Sequence, residues 1–129
     1  QMKQALYTSF CLAVNLPLTG VNTSLNFRAS TFGGDVTSTS PNYYITTSIF
    51  NGQFNATKTG ASSDGCPGGN TFNGTTTITN TGAGYFGFGW SLPDTWNNDV
   101  TFTNSGSERI LPAWNVPGNL FNGNTNAHS

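Results

Sequence analysis

Residues 71–84 read TFNGTTTITNTGAG, and two further stretches align with them without a gap: IFNGQFNATKTGAS at 49–62 and TWNNDVTFTNSGSE at 95–108. Phe32-Gly33-Gly34 and Phe121-Asn122-Gly123 are fainter copies of the same aromatic head. Recurrence every ~18 to 25 residues marks a repeat architecture, in which each copy is one unit that buries its apolar face only by stacking on its neighbours. The fourth residue after each head is Val36, Phe54, Thr76 or Val100, and the sixth is Ser38, Ala56, Ile78 or Phe102. These are mostly apolar or small. The fifth is Thr37, Asn55, Thr77 or Thr101, and the seventh is Thr39, Thr57, Thr79 or Thr103, all polar. Ten residues after the head stands Gly60, Gly82 or Gly106, with Asn42 at the equivalent place, each suited to ending a strand.

An apolar/polar alternation of period two is a half-buried strand, and its return at matched positions predicts strands stacked in register. The fold expected is all-β, a parallel β-helix (β-solenoid) of about 4–5 irregular coils in one domain; an antiparallel β-sandwich with merely repetitive strands is the alternative. A second aligned segment gives each coil at least two faces: Tyr85-Phe86-Gly87-Phe88-Gly89-Trp90 matches Arg109-Ile110-Leu111-Pro112-Ala113-Trp114, with Tyr43-Tyr44-Ile45 a shorter version. Pro112 fits poorly inside a ladder because it has no N–H to donate. The coils are expected over 32–120, with 121–129 an incomplete terminal coil. Residues 1–31 form a first coil, with Phe10 as its head and Val14, Leu16 and Leu18 inward, or a helical cap built on Met2, Leu6, Tyr7 and Phe10.

The runs GGNTFNGTTTITNTGAGY and DTWNNDVTFTNSGS resemble repeats of large secreted and cell-surface β-solenoid, adhesin-like proteins of Bacteroidetes. Those repeats read F-N-G-[DN]-[VI]-T-[FV]-x-N. Phe72-Asn73-Gly74, Asp99-Val100-Thr101-Phe102-Thr103-Asn104 and Phe121-Asn122-Gly123-Asn124 match that pattern, while Trp96 replaces its Phe and Asn98 its Gly. The resemblance covers about Phe50 to Gly123. It implies a bacterial, extracellular or cell-surface protein with an adhesive or scaffolding role, no catalytic residues and no cofactor, and it makes the chain look like a piece of a longer one.

Composition narrows the partners. Of 129 residues only 7% are charged, against roughly a quarter in ordinary domains, and the net charge is −1. No basic stripe is present to neutralise phosphates, and no apolar run approaches the ~18 residues of a membrane helix, so neither nucleic acid nor membrane insertion is expected. The apolar stretch Ala5–Leu18 behind Lys3 superficially resembles a secretory signal, but Thr8, Ser9 and Asn15 interrupt it and no clear cleavage site follows. Two cysteines, Cys11 and Cys66, are too few for a disulfide framework, and their pairing is left open.

Catalytic chemistry finds little footing. His128, the single histidine, lies next to the terminal residue, and Asp94 and Asp99 read as solvating a corner rather than as a glycosidase pair. No metal or cofactor site is expected. Three surfaces remain. Tyr85, Phe88, Trp90, Trp96 and Trp114 form a candidate platform for surface glycans. Phe121, Asn122, Gly123 and Asn124 form an edge on which another coil could stack, from a longer chain or head to tail from a second copy. Thr77, Thr79, Thr101 and Thr103 form T-x-T pairs, repeating at ~4.8 Å between coils and ~7 Å along them, a candidate ice-binding face.

Overall fold

The computed structural model describes residues 24–129 in full and, before them, the backbone of three strands, β1 (Gln4–Thr8), β2 (Cys11–Leu12) and β3 (Leu16–Thr19). Five further triplets repeat that order. They are β4 (Ser24–Arg28), β5 (Thr31–Phe32) and β6 (Val36–Ser40); β7 (Tyr43–Thr46), β8 (Ile49–Phe50) and β9 (Phe54–Lys58); and β10 (Asp64–Gly65), β11 (Thr71–Phe72) and β12 (Thr76–Asn80). The last two are β13 (Phe86–Gly87), β14 (Thr95–Trp96) and β15 (Val100–Asn104), then β16 (Ile110–Leu111), β17 (Leu120–Phe121) and β18 (Thr125–His128). Among the described residues every strand pairing is parallel and joins a strand to its counterpart one triplet away. The chain is therefore a three-faced β-solenoid of six rungs, five turns from first to last, and the sandwich alternative is excluded.

The first face is split into sheets β1-β4-β7 and β10-β13-β16, joined by a bridge between Thr46 and Gly68. The second and third faces are continuous six-stranded sheets, β2-β5-β8-β11-β14-β17 and β3-β6-β9-β12-β15-β18. On the third face the register is the one the repeats predict: Val36, Phe54, Thr76 and Val100 are partners, as are Ser38, Ala56, Ile78 and Phe102. β1–β3 pair with β4–β6, so the N-terminal stretch is a rung and not a helical cap. Its head is Leu12, the partner of Phe32; Phe10 and Val14 lie outside the described residues. β16 stops at Leu111, immediately before Pro112, where a ladder donor would be lost.

The heads form the spine of the core. Phe32, Phe50, Phe72 and Trp96 are buried, with successive ring centroids 5.2, 5.2 and 4.2 Å apart and planes within 10° of parallel. Phe121 continues the stack 5.8 Å beyond Trp96. Burial of each ring stabilises by about 1.5–3 kcal/mol before any stacking contribution. Phe27, Phe54, Phe88 and Phe102 pack edge-on or tilted against this spine and fill the rest of the interior.

Candidate functional site

The corners between faces carry polar ladders that lock the rungs in register. Two residues before each head stands Ser30, Ser48, Asn70, Asp94 or Asn119, whose side chain, from Ser48 onward, accepts the N–H of its counterpart one rung earlier. These distances run from 2.8 to 3.3 Å. One residue after the heads a second ladder runs along the surface, with Asn73, Asn97 and Asn122 each donating Nδ2–H to the Oδ1 of the preceding Asn at 2.8 Å. Alignment of the copies backwards from the five aromatic heads, where every residue at the minus-two place is Ser, Asn or Asp, reveals the buried ladder in the sequence.

Asp94 belongs to that ladder. It is fully buried and does not solvate a corner, and Asp99 lies elsewhere, its Oδ1 accepting the Asn124 N–H at 2.9 Å. Burial pushes the Asp94 carboxyl up to about 6, against the opposing pull of the Asn70 amides and the Gly89 N–H. A half-buried carboxyl, Asp64, is also raised to about 6, chiefly by its partial burial; it accepts the Tyr43 N–H at 2.9 Å and faces the Lys58 ammonium at 3.9 Å. Cys66 is a free, fully buried thiol, which burial raises far above its ordinary value, so it is protonated and unreactive. Among the described residues no three His, Cys, Asp or Glu side chains converge as a metal site would require.

The aromatic candidates divide. Phe88 and Trp96 are wholly inside and drop out as glycan contacts, because inward-pointing positions of a β-solenoid are closed by the rungs on either side. Tyr85, Trp90 and Trp114 lie together outside the first face: the Trp114 ring centroid is 4.9 Å from Tyr85 and 4.2 Å from Trp90. Trp114 lies across Gly65 and Gly87, where the lack of side chains in two successive rungs leaves a trough for the indole. Only Trp90 is largely exposed, at 42%.

The threonine candidates occupy adjacent rungs of the third face. Thr77 pairs with Thr101 and Thr79 with Thr103, all half-buried and outward between buried partners.

At the far end the rung β16–β18 is covered on one side only. Leu120 and Phe121 are 52% and 36% exposed, and the residues of β18 are all exposed. Between the first and third faces this end opens into a cavity of about 310 Å³, walled by Phe102, Ile110, Pro112 and Ala127 and rimmed by Arg109 and His128. His128 therefore edges an apolar opening, with no acid or nucleophile given to it by a hydrogen bond.

No family model matches this chain, and no curated protein or solved structure matches it. Its chemistry is read from its own residues.

Proposed function

We propose that this is an extracellular, non-enzymatic structural repeat protein that forms a surface stalk or filament by stacking β rungs, with an adhesive role. The observation that carries the reading is Phe121. It is the next ring of an otherwise buried aromatic stack, parallel to Trp96 within 4° yet exposed on its far side. Beside it, Leu120 and the apolar cavity leave uncovered the surfaces that every inner rung buries. A further rung laid on this end extends both continuous sheets by one strand each and covers the ring; stability in such arrays grows with each neighbour interface. Rigid corner ladders and the absence of a converging reactive constellation among the described residues suit a load-carrying rod, and the resemblance to secreted adhesin-like repeats supports the location. The partner is a rung of the same repeat, from further chain or a second copy.

The test is light scattering after size exclusion, with electron microscopy of the chain over a range of concentrations, beside Phe121→Asp and Leu120→Asp. End-to-end rods that the two variants abolish support the reading. A chain that stays monomeric, or rods that survive both charges, overturns self-stacking.

A second reading, as a carbohydrate-binding module, draws on the outer cluster Tyr85, Trp90 and Trp114 alone. A glycan-dependent binding isotherm lost in Trp90→Ala is its test, and an unchanged isotherm removes it.

A further inference from the structure

The third face presents an outward surface that stacking does not use. Its fifth-place column reads Thr37, Asn55, Thr77, Thr101 through β6, β9, β12 and β15, and its seventh-place column reads Thr39, Thr57, Thr79, Thr103, each residue the register partner of the next. Thr19 occupies the same register position one rung earlier. Asn55 is the sole interruption within these four rungs.

Three features separate this array from threonine used merely as a good strand former. None of the threonine hydroxyls of these two columns in β6, β9, β12 and β15 is hydrogen-bonded within the described residues, whereas those of Thr46, Thr76 and Thr81 are bonded to backbone carbonyls at 3.1–3.2 Å. The array also carries no charge. The one lysine of these strands, Lys58, follows Thr57 directly but is turned inward and fully buried, its ammonium donating to the Gly60 carbonyl at 2.8 Å. Asp35 and Asp99 stand beyond the array at the corner, each accepting the backbone N–H of a residue in the next rung, Gln53 and Asn124. Finally, the strands are paired residue for residue without a bulge, so the hydroxyls and methyls repeat at ~4.8 Å across and ~7 Å along the sheet. The second face lacks such an array: its two-residue strands give one outward column, Thr31, Ile49, Thr71, Thr95 and Leu120, broken by two apolar side chains.

We infer that the β6-β9-β12-β15 face binds ice. Rigid hydroxyls at a two-dimensional repeat, with methyls between them and no ion to impose its own hydration shell, hold first-shell water in a lattice. Water so held costs little further entropy when it joins a growing crystal plane. The inference is independent of stacking at the chain end, because the two surfaces share no residue.

The experiment measures thermal hysteresis and ice recrystallisation with the intact chain, alongside Thr79→Tyr and Thr57→Lys on the array and Thr95→Tyr on the second face. Circular dichroism melts confirm that each is folded. The expected result is hysteresis in the native chain and in Thr95→Tyr, and loss of most of it in both array variants. Native protein that leaves crystals growing as in buffer overturns the inference, as does hysteresis that persists in the folded array variants.

Discussion

Asp94 Oδ1 accepts two hydrogen bonds from Asn70 in the preceding rung, one from the backbone N–H at 2.8 Å and one from the side-chain amide at 2.9 Å. The ladder needs one acceptor at this place and receives a carboxylate with two. Ser48, Asn70 and Asn119 do the same work elsewhere without a charge.

That excess predicts a pH dependence. The folded value of Asp94, about 6, lies above the unfolded value of 3.8, so the native state holds its proton more tightly. The associated stability is present below about pH 4 and is lost as pH rises through about 6, on the order of 2–3 kcal/mol in all. Asp64 adds to the same trend, its folded value also being about 6. Chemical denaturation between pH 4 and 8 should show native stability falling with pH, and Asp94→Asn should flatten the fall by its own share. Identical slopes for the two proteins sink this account.

A different constraint operates at Gly74, whose place in the head motif brings the backbone of one rung against the next. A Cβ there runs into the Gly52 carbonyl, backbone that cannot move without breaking the Asn51–Asn73 rung of the surface ladder. Gly74→Ala should therefore destabilise by about 2 kcal/mol or more through overpacking, seen as a lower denaturation midpoint. Unchanged stability would mean that rungs can part here without penalty.

The solenoid was legible because its signal is two-fold: alternation along a strand and repetition between strands. Thr76-Thr77-Ile78-Thr79-Asn80 alone is a weak strand, but matched to Phe54–Lys58 and Val100–Asn104 it gives the register residue for residue. The N-terminal head was displaced by two residues, from Phe10 to Leu12, because the aromatic cue is absent there and alternation keeps its parity under a shift of two. Inward and outward aromatics were harder to separate. Trp96 follows the head rule and is buried, while Trp114 follows the second-segment alignment and turns outside, over glycines whose meaning appears only when rungs are stacked. The polarity of Asp94 suggested water, and only the neighbouring rung shows what it is bonded to.

Trp96 is the one indole in a column of phenyl rings, and its Nε1–H is buried without a hydrogen-bond partner. Trp96→Phe removes an orphaned donor, which relieves about 1–3 kcal/mol, and leaves a smaller ring, which costs a similar amount in lost packing. The expected outcome is a melting temperature close to that of the native chain, because Phe holds this place in the rungs on both sides. A large fall would show that the indole fills space a phenyl ring cannot.

Lys58 stands in a column of the third face whose other members are Ser40, Asn80 and Asn104, and its buried ammonium faces the half-buried Asp64 carboxyl of the first face at 3.9 Å. Burial lowers the lysine and raises the aspartate, and each opposes the other's shift, so neither charge is well accommodated alone. Lys58→Met leaves Asp64 to ionise without its counter-charge. The loss should be larger at pH 8, where Asp64 is ionised, than at pH 5, where it is largely protonated. Asp64→Asn keeps an acceptor for the Tyr43 N–H but strands the ammonium. A double-mutant cycle measured by chemical denaturation should give a coupling of about 1–3 kcal/mol at pH 8 that shrinks at pH 5. Zero coupling at pH 8 would show that the Gly60 carbonyl, and not Asp64, is what holds the lysine inside, and an equal coupling at both pH values would show that Asp64 stays ionised at pH 5.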